Sequence, residues 1–287
     1  MKLEKIISLA NKNSELRFLA MVRSLRATGC NLPVWVIPYD DNQFDLPDNC
    51  LWWELEEVTN MLNRQKAHPM KRKYQCLLTA NYQFVDSDIV FLKNPEDELK
   101  NLSGFITSCC HWNNPEYTFT QTSAVMFKEK STTWQKNVFN AGQFACDTSL
   151  YSLTELKAAF AEPAYKECLI DFNYHDQPAL NLLVFLTGIK ITNITLPPYN
   201  AESTWAGDYP SADYEKYWTD NAKKPYLIHW AGCNMNLNRP IDRLFTGYLT
   251  ASELEAWQSY LSAQSNYQKA STLRRLFNFI KRSLPNT

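Results

Sequence analysis

The stretch Tyr82-Gln83-Phe84-Val85-Asp86-Ser87-Asp88-Ile89-Val90-Phe91-Leu92 decides the fold: a β-type hydrophobic run delivers two carboxylates, resumes, and closes at Asn94-Pro95. Acids two positions apart at the end of a buried strand supply hard oxygen ligands. Leaving both unpaired in apolar surroundings is costly, so a divalent cation is expected beside them. An Asp-x-Asp alone is a weak signal, common in surface turns, and its setting within a hydrophobic strand gives it weight. The alternative is that Asp86 and Asp88 cap the following turn or pair with Lys93.

Upstream, Lys5-Ile6-Ile7-Ser8-Leu9 reads as a strand, followed by a helix over about 14–28 with Leu16, Leu19, Ala20 and Leu25 as its apolar positions and Gly29 as its stop. Val34-Trp35-Val36-Ile37 is a second strand ending in Tyr39-Asp40-Asp41, Leu51-Trp52-Trp53 a third, and 71–80 is helical. This β-α-β alternation predicts an α/β fold with a mostly parallel central sheet flanked by helices, and a ligand across the carboxyl ends of its strands. Ala10-Asn11, Asp40-Asp41 and Asp86-Asp88 lie at such ends. The seven glycines form neither a Gly-x-Gly-x-x-Gly turn nor a Gly-Lys-Ser/Thr loop. A bound pyrophosphate would therefore need a metal and basic side chains in place of a backbone cradle.

The chain's 287 residues, 45% of them hydrophobic, suit one large domain with decorations. Lys plus Arg total 29 against 30 acids, a net charge of -1, which gives no reason to expect nucleic acid as a partner. Met1–Ala10 is too short an apolar stretch for a signal peptide, and the run Ala179–Ile189 is interrupted by Asn181, Thr187 and Gly188, which predicts a core helix. Eight irregularly spaced cysteines without a Cys-x-x-Cys pair are expected as reduced thiols in a cytoplasmic protein, and Cys109-Cys110-His111 as buried thiols, with zinc the minor alternative.

Two further constellations stand out. Pro225-Tyr226-Leu227-Ile228-His229-Trp230-Ala231-Gly232 is a short strand ending in a histidine whose imidazole can complete a metal shell; the bland alternative is a hydrogen-bonded core histidine. Two carboxylates with one imidazole suit Mn²⁺ better than Ca²⁺, with Mg²⁺ also open. Asp171-Phe172-Asn173-Tyr174-His175-Asp176-Gln177-Pro178 is a polar cluster at the mouth of an apolar helix, where Asp176 suits an N-cap and Pro178 the first turn, or where the loop bonds sugar hydroxyls.

Together these residues resemble the sugar-nucleotide-dependent glycosyltransferases of the GT-A fold, especially the retaining group that contains lipopolysaccharide galactosyltransferases and glycogenin. The resemblance covers roughly residues 5 to 235, through Ala10-Asn11, Lys73-Tyr74, Asp86-Ser87-Asp88, Asp176-Gln177 with Leu180-Asn181, Leu196-Pro197-Pro198-Tyr199-Asn200, and His229 with Gly232. It implies that Asp86, Asp88 and His229 hold Mn²⁺ (or Mg²⁺) against the diphosphate of a nucleoside-diphosphate sugar, with a UDP-sugar favoured. It places Asp176 on the hydroxyls of the transferred sugar and Gln177 near its anomeric carbon. Lys73 or Arg72 would reach the donor, as would Ser87 beside the metal, and Ala10, Asn11 and Asp40 would meet the nucleoside. The family's Asn-Ala-Gly strand matches Phe139-Asn140-Ala141-Gly142 by letters and Thr122-Ser123-Ala124-Val125-Met126-Phe127 by position and strand character. The second is favoured, which sets Thr122 and Ser123 near the sugar.

The chain departs from the family at Pro178, where a further Asp often stands, and at Cys233-Asn234-Met235-Asn236, where a phosphate-binding Lys-Pro is usual. Lys223, Lys224 and Arg239 are the candidates to replace that lysine. Inversion would require a carboxylate base, with Asp176 the first candidate, whereas retention can use the leaving phosphate with Gln177 supporting the charge; the resemblance favours retention. Trp112, Trp205 and Trp230 are candidates for acceptor contact among nine tryptophans, most of which are expected in the core.

Beyond Glu255 there is no acid, while Lys269, Arg274, Arg275, Lys281 and Arg282 alternate with Leu273, Leu276, Phe277, Ile280 and Leu284 at helical spacing. The expected organisation is a GT-A domain over 1–250 and a helical extension over 251–287. Its basic segment 268–287 either rests on an anionic membrane at the inner face, near a lipid-linked acceptor, or packs on the domain. A nucleotidyltransferase would carry a glycine-rich basic loop where Asn11-Lys12-Asn13-Ser14 stands, and an Asp-x-Asp phosphatase its nucleophile on the first strand. A non-catalytic sugar-nucleotide or membrane-binding protein is the remaining rival to a hexosyltransferase acting on a glycan or lipid-linked hydroxyl.

Overall fold

A computed structural model describes residues 1–264 apart from 116–117, 119–120, 129–131, 172–175, 234 and 236–238; for 121–123 and 171 it describes the backbone alone. The basic segment 268–287 lies outside the described residues.

The first strand, β1 (Lys5–Ala10), is buried at all six positions. β2 (Val34–Pro38) and β4 (Tyr82–Asp86) flank it, both parallel to it, and β3 (Cys50–Trp52) extends the parallel array beyond β2. Alternate residues face opposite sides of this sheet, and both sides are covered. Ile7, Leu9, Phe84 and Phe144 enter one core, while Ile6, Ala10, Val36, Val85 and Ala145 enter the other. β7 (Gln143–Cys146) runs antiparallel between β4 and β6 (Phe105–Thr107), and β8 (Ile191–Asn193) closes the far edge parallel to β6. The seven-stranded order is β3-β2-β1-β4-β7-β6-β8. It is the mostly parallel α/β sheet that the sequence predicts.

Helix α1 (Glu15–Ala27) follows β1 after one tight turn, in which Asn11 and Ser14 form a reciprocal capping box. Next come α2 (Glu56–Arg64) and a 3₁₀ segment, Pro69–Leu78, that turns Lys71 and Lys73 inward. Helices α3 (Pro95–Leu99), α4 (Gln121–Lys128), α5 (Leu153–Ala161), α6 (Gln177–Leu186) and α7 (Arg243–Thr246) complete the layers, and α8 spans 251–264. Among the described residues no helix is long and apolar enough to cross a membrane.

Two expectations are corrected. The hydrophobic run around the acids is not one interrupted strand. It breaks at Ser87-Asp88 into β4 and β5 (Ile89–Phe91), and β5 leaves the main sheet to pair antiparallel with β9 (Leu227–His229). The strand expected over 122–127 is part of helix α4. The place beside β4 is filled instead by β7, whose four residues are all buried, whereas Val125 is 48% exposed. Burial between two strands outweighs the local β-preference of Thr, Val and Phe.

Candidate active site

The break between β4 and β5 builds the site. Leu9 of β1 pairs with Asp86, so this acid sits at the carboxyl end of the parallel array. Ile89 pairs with His229 across the antiparallel β5–β9 ribbon, which brings the imidazole beside Asp88. One oxygen of each carboxylate and one nitrogen of His229 all lie within 4.8 Å of one another. Nε2 of His229 is 3.2 Å from Asp88 Oδ1 and 3.8 Å from Asp86 Oδ2. It is buried and makes no hydrogen bond. A buried nitrogen facing two carboxylate oxygens without a bonded partner fits a divalent cation, and the donor set of two oxygens and a nitrogen suits Mn²⁺ or Mg²⁺.

The backbone leaves room for this set. Gly142 lies against it, and a Cβ at that position would collide with Asp86 Oδ2 and His229 Cε1. The Gly142 carbonyl also accepts the Asp86 amide at 2.8 Å, and Asn140 Oδ1 accepts the Gly142 amide at 2.7 Å. Asn181 of α6 fixes the approach by bonding both the amide (3.0 Å) and the carbonyl (2.8 Å) of Phe139.

Asp86 and Asp88 stand in different fields. Burial raises both, but for Asp88 the facing His229, with Arg17 on α1 behind it, prevails and holds the carboxyl at about 2. For Asp86 burial prevails over Lys73 and His229, and its pKa is raised. Burial alone would depress His229; Asp88 first and then Asp86 reverse that and raise it. Arg17, half-buried, is a basic residue that the sequence reading did not single out.

Lys73 is fully enclosed, with its ammonium 2.6 Å from Asp176 Oδ2, 3.1 Å from Asp86 Oδ1 and 3.2 Å from the Ala141 carbonyl. Burial would lower its pKa, and the Asp176 and Asp86 carboxylates together raise it. Asp176 precedes α6, as expected of a cap, but makes no capping bond, because its side chain turns to Lys73. Gln177 Oε1 is buried without a hydrogen-bond partner. Lys71, two residues earlier, donates to the carbonyls of Leu169 (3.0 Å) and Ile170 (2.7 Å), so the two lysines hold both flanks of the segment that carries Asp176.

The remaining expected residues divide by position. Asn11 Nδ2 donates to Asp40 Oδ2 at 2.8 Å, which joins the ends of β1 and β2 next to Ala10. Ser87 is buried between the acids. Arg72 is committed within the protein, 2.9 Å from the Pro38 carbonyl and 3.6 Å from Glu54, and Lys73 likewise has all its partners inside. Thr122 and Ser123 begin helix α4 rather than a strand at the site. Lys93 is bonded to Asn221 and Glu98, not to the acids. His175, Asn234 and Asn236 lie outside the described residues.

Asn140 and Gly142 are the site residues the sequence reading passed over. Their signal was the Asn-Ala-Gly match itself; they precede the short strand β7 instead of lying within it. Cys109 is buried and accepts the Asn140 amide at 3.1 Å. Burial would raise its pKa, and the His111 hydrogen bond prevails and lowers it. Among the described residues Asp86, Asp88 and His229 are the one His/Cys/Asp/Glu trio close enough to share an ion.

No family model and no curated protein matches the sequence. Solved structures match the fold. The apo structure of the bifunctional glycosyltransferase WbbM aligns with a TM-score of 0.59 at 16% identity over 90% of this chain and 51% of that one. Two structures of the glycosyltransferase GlyE from Streptococcus pneumoniae TIGR4 align with TM-scores of 0.48 and 0.49 at 11% and 12% identity, over 91% of this chain and 64% of theirs. The chain spans about half the length of the WbbM chain. At these identities the shared property is the architecture: the chain has a GT-A-type, Rossmann-like α/β fold like that of WbbM.

Proposed function

We propose that this chain is a metal-dependent glycosyltransferase that moves a hexose from a nucleoside-diphosphate donor, UDP-sugar favoured, to a hydroxyl of a glycan or lipid-linked acceptor, with retention. The observation that carries the proposal is the Asp86–Asp88–His229 set, with its unbonded Nε2, at the carboxyl end of a parallel sheet of this fold. Asp86, Asp88 and His229 would hold Mn²⁺ or Mg²⁺. When bound, the ion supplies Lewis-acid stabilisation of a departing diphosphate.

The chain's own residues do the rest. Asn11 and Asp40, already bonded to each other, present the nucleoside edge beside Ala10, and Ser87 lines the diphosphate. Arg17, whose charge already acts on Asp88, would offer the positive charge that the missing family lysine supplies, with Lys223, Lys224 or Arg239 as the further candidates. Lys73 neutralises Asp86 and Asp176 from within, so that both acids hold a fixed geometry without drawing in water. Gln177 Oε1, buried and unbonded, is the polar group available to a positively charged sugar centre.

Retention is favoured because Asp176, the carboxylate an inverting base would require, is paired with Lys73 at 2.6 Å and is thereby committed as an ion-pair partner. Residues 1–250 form the catalytic domain in this reading and 251–287 an extension whose basic segment meets an anionic membrane. Purified protein incubated with UDP-sugars and Mn²⁺ is expected to release UDP slowly by hydrolysis, faster with acceptor, and to give product of unchanged anomeric configuration by NMR. UDP-sugar binding without any release of UDP would return the chain to a sugar-nucleotide-binding role, and an inverted product would overturn retention.

A further inference from the structure

Three aromatic residues of the 194–226 excursion between β8 and β9 are buried in one cluster: Tyr209, Tyr214 and Trp218 pack edge to face with centroids 5.0–6.5 Å apart. Tyr199, Tyr217 and Trp205 are exposed, and the one of the three whose backbone pairs with the candidate metal set is Trp205. Its side chain is 44% exposed, an unusual state for the largest apolar residue. Of the three tryptophans considered for acceptor contact, Trp230 is 1% exposed and bonded to Asp242, and Trp112 donates to Thr195.

Three features hold the exposed indole in place. The Trp205 backbone forms a parallel bridge with His229, the candidate metal ligand, and the preceding Thr204 carbonyl accepts the His229 amide at 2.7 Å. Its Nε1 donates to the Ala231 carbonyl at 2.8 Å. Beneath the ring lies Gly207, where any Cβ would collide with the indole. One face is therefore laid on bare backbone, the N–H is already satisfied, and the ring remains open without freedom to turn away. Paired residues of neighbouring strands project to the same side of a sheet, so the indole stands on the His229 side chain's side.

We infer that Trp205 is a stacking platform for a pyranose ring of the acceptor. A fixed, solvent-open indole with no free donor recognises flat C–H surface, not a hydroxyl pattern, and one face of a pyranose presents such surface. A nucleobase would also stack, but the proposed function assigns the nucleoside to Asn11 and Asp40, bonded to each other at the ends of β1 and β2. In the sheet these strands lie on one side of β4, while His229 and Trp205 approach from the separate β5–β9 ribbon. The inference rests on the transfer reading for the word acceptor, and its chemistry is that of a sugar subsite next to the metal set.

The test is a glycan array probed with wild type, Trp205→Ala and Trp205→Phe in UDP and Mn²⁺, alongside the Tm shift of each protein with UDP and Mn²⁺. Wild type is expected to be retained on a defined glycan class, the alanine variant to lose about tenfold or more in affinity, and the phenylalanine variant to recover most of it. The nucleotide shift should stay the same in all three. Retention unchanged by Trp205→Ala, or no glycan retained by wild type, would overturn the platform, as would a nucleotide shift that falls in parallel with glycan retention. Absence of the nucleotide shift in wild type would instead defeat the donor reading, while selective loss of glycan in the alanine variant would still establish the sugar subsite.

Discussion

Two regions meet at His229 and are held by different forces. On the β4 side, Lys73, Asp86 and Asp176 form an enclosed network in which every charge needs the others. On the β9 side, the 194–226 excursion is fastened by ring stacking, by Tyr209 donating to the Ser203 carbonyl, and by the bond from Trp205 to Ala231. The contrast shows how the fold separates rigidity from adaptability. A buried charge network has one acceptable geometry because any displacement leaves a carboxylate uncompensated, whereas an aromatic surface changes what it touches without threatening the fold.

The largest effect expected from that contrast is at Lys73. Lys73→Ala leaves Asp86 and Asp176 without their counter-charge, and a loss of about 3–5 kcal/mol is expected from urea unfolding of the metal-free protein. A loss under about 1 kcal/mol would mean that the network is not what holds the β4 side.

Gly142→Ala is next. The added Cβ must displace Asp86 or His229, so about 1–3 kcal/mol of destabilisation is expected together with loss of any Mn²⁺-dependent Tm shift. Normal metal response in this variant would show that Gly142 does not bound the cation site.

A third comparison uses an ion pair outside both regions. Arg23 on α1 reaches Glu253 of α8 with two bonds, of 2.5 and 2.9 Å, and the hydrogen bond from Arg23 holds the Glu253 carboxyl at about 2. A depressed carboxyl contributes stability above its unfolded value of 4.5 and loses it as pH falls through about 2. Because Arg23 is 38% exposed, solvent screening limits the contribution to about 1 kcal/mol. The difference in stability between wild type and Glu253→Gln should therefore be largest at pH 7 and shrink below pH 4.5. A difference independent of pH would assign the effect to packing.

The smallest stability effect is expected at Trp205, where alanine removes one hydrogen bond and a half-exposed ring and should change unfolding by about 1 kcal/mol or less while altering glycan retention. A large destabilisation would place Trp205 with the structural cluster and erase the difference between the two sides.

The sequence made the parallel half legible because β1, β2 and β4 are largely apolar runs, and because Gly29 marks the end of the first helix. Asp86, Asp88 and His229 were legible as metal-ligating residue types at strand ends. The role of Lys73 was not, since the resemblance points Lys73 or Arg72 at the donor, and only the 3₁₀ path of Pro69–Leu78 turns Lys73 into the core. Asp176 sat where a cap is expected, and its ion pair with Lys73 is a long-range contact that local spacing does not encode. Thr122–Phe127 misled because β-branched and aromatic residues favour strands only where a half-buried sheet position awaits them. The β5–β9 ribbon that joins Asp88 to His229 depends on pairing between residues about 140 positions apart, beyond any periodicity argument.

The central claim is that Asp86, Asp88 and His229 hold a divalent cation that in turn holds a nucleoside diphosphate. Calorimetric titration of UDP into wild type and Asp88→Asn, each with and without Mn²⁺, tests it most directly. The account predicts UDP binding to wild type that requires Mn²⁺ and is abolished in Asp88→Asn; equal UDP affinity without metal, or undiminished binding in the variant, would contradict it.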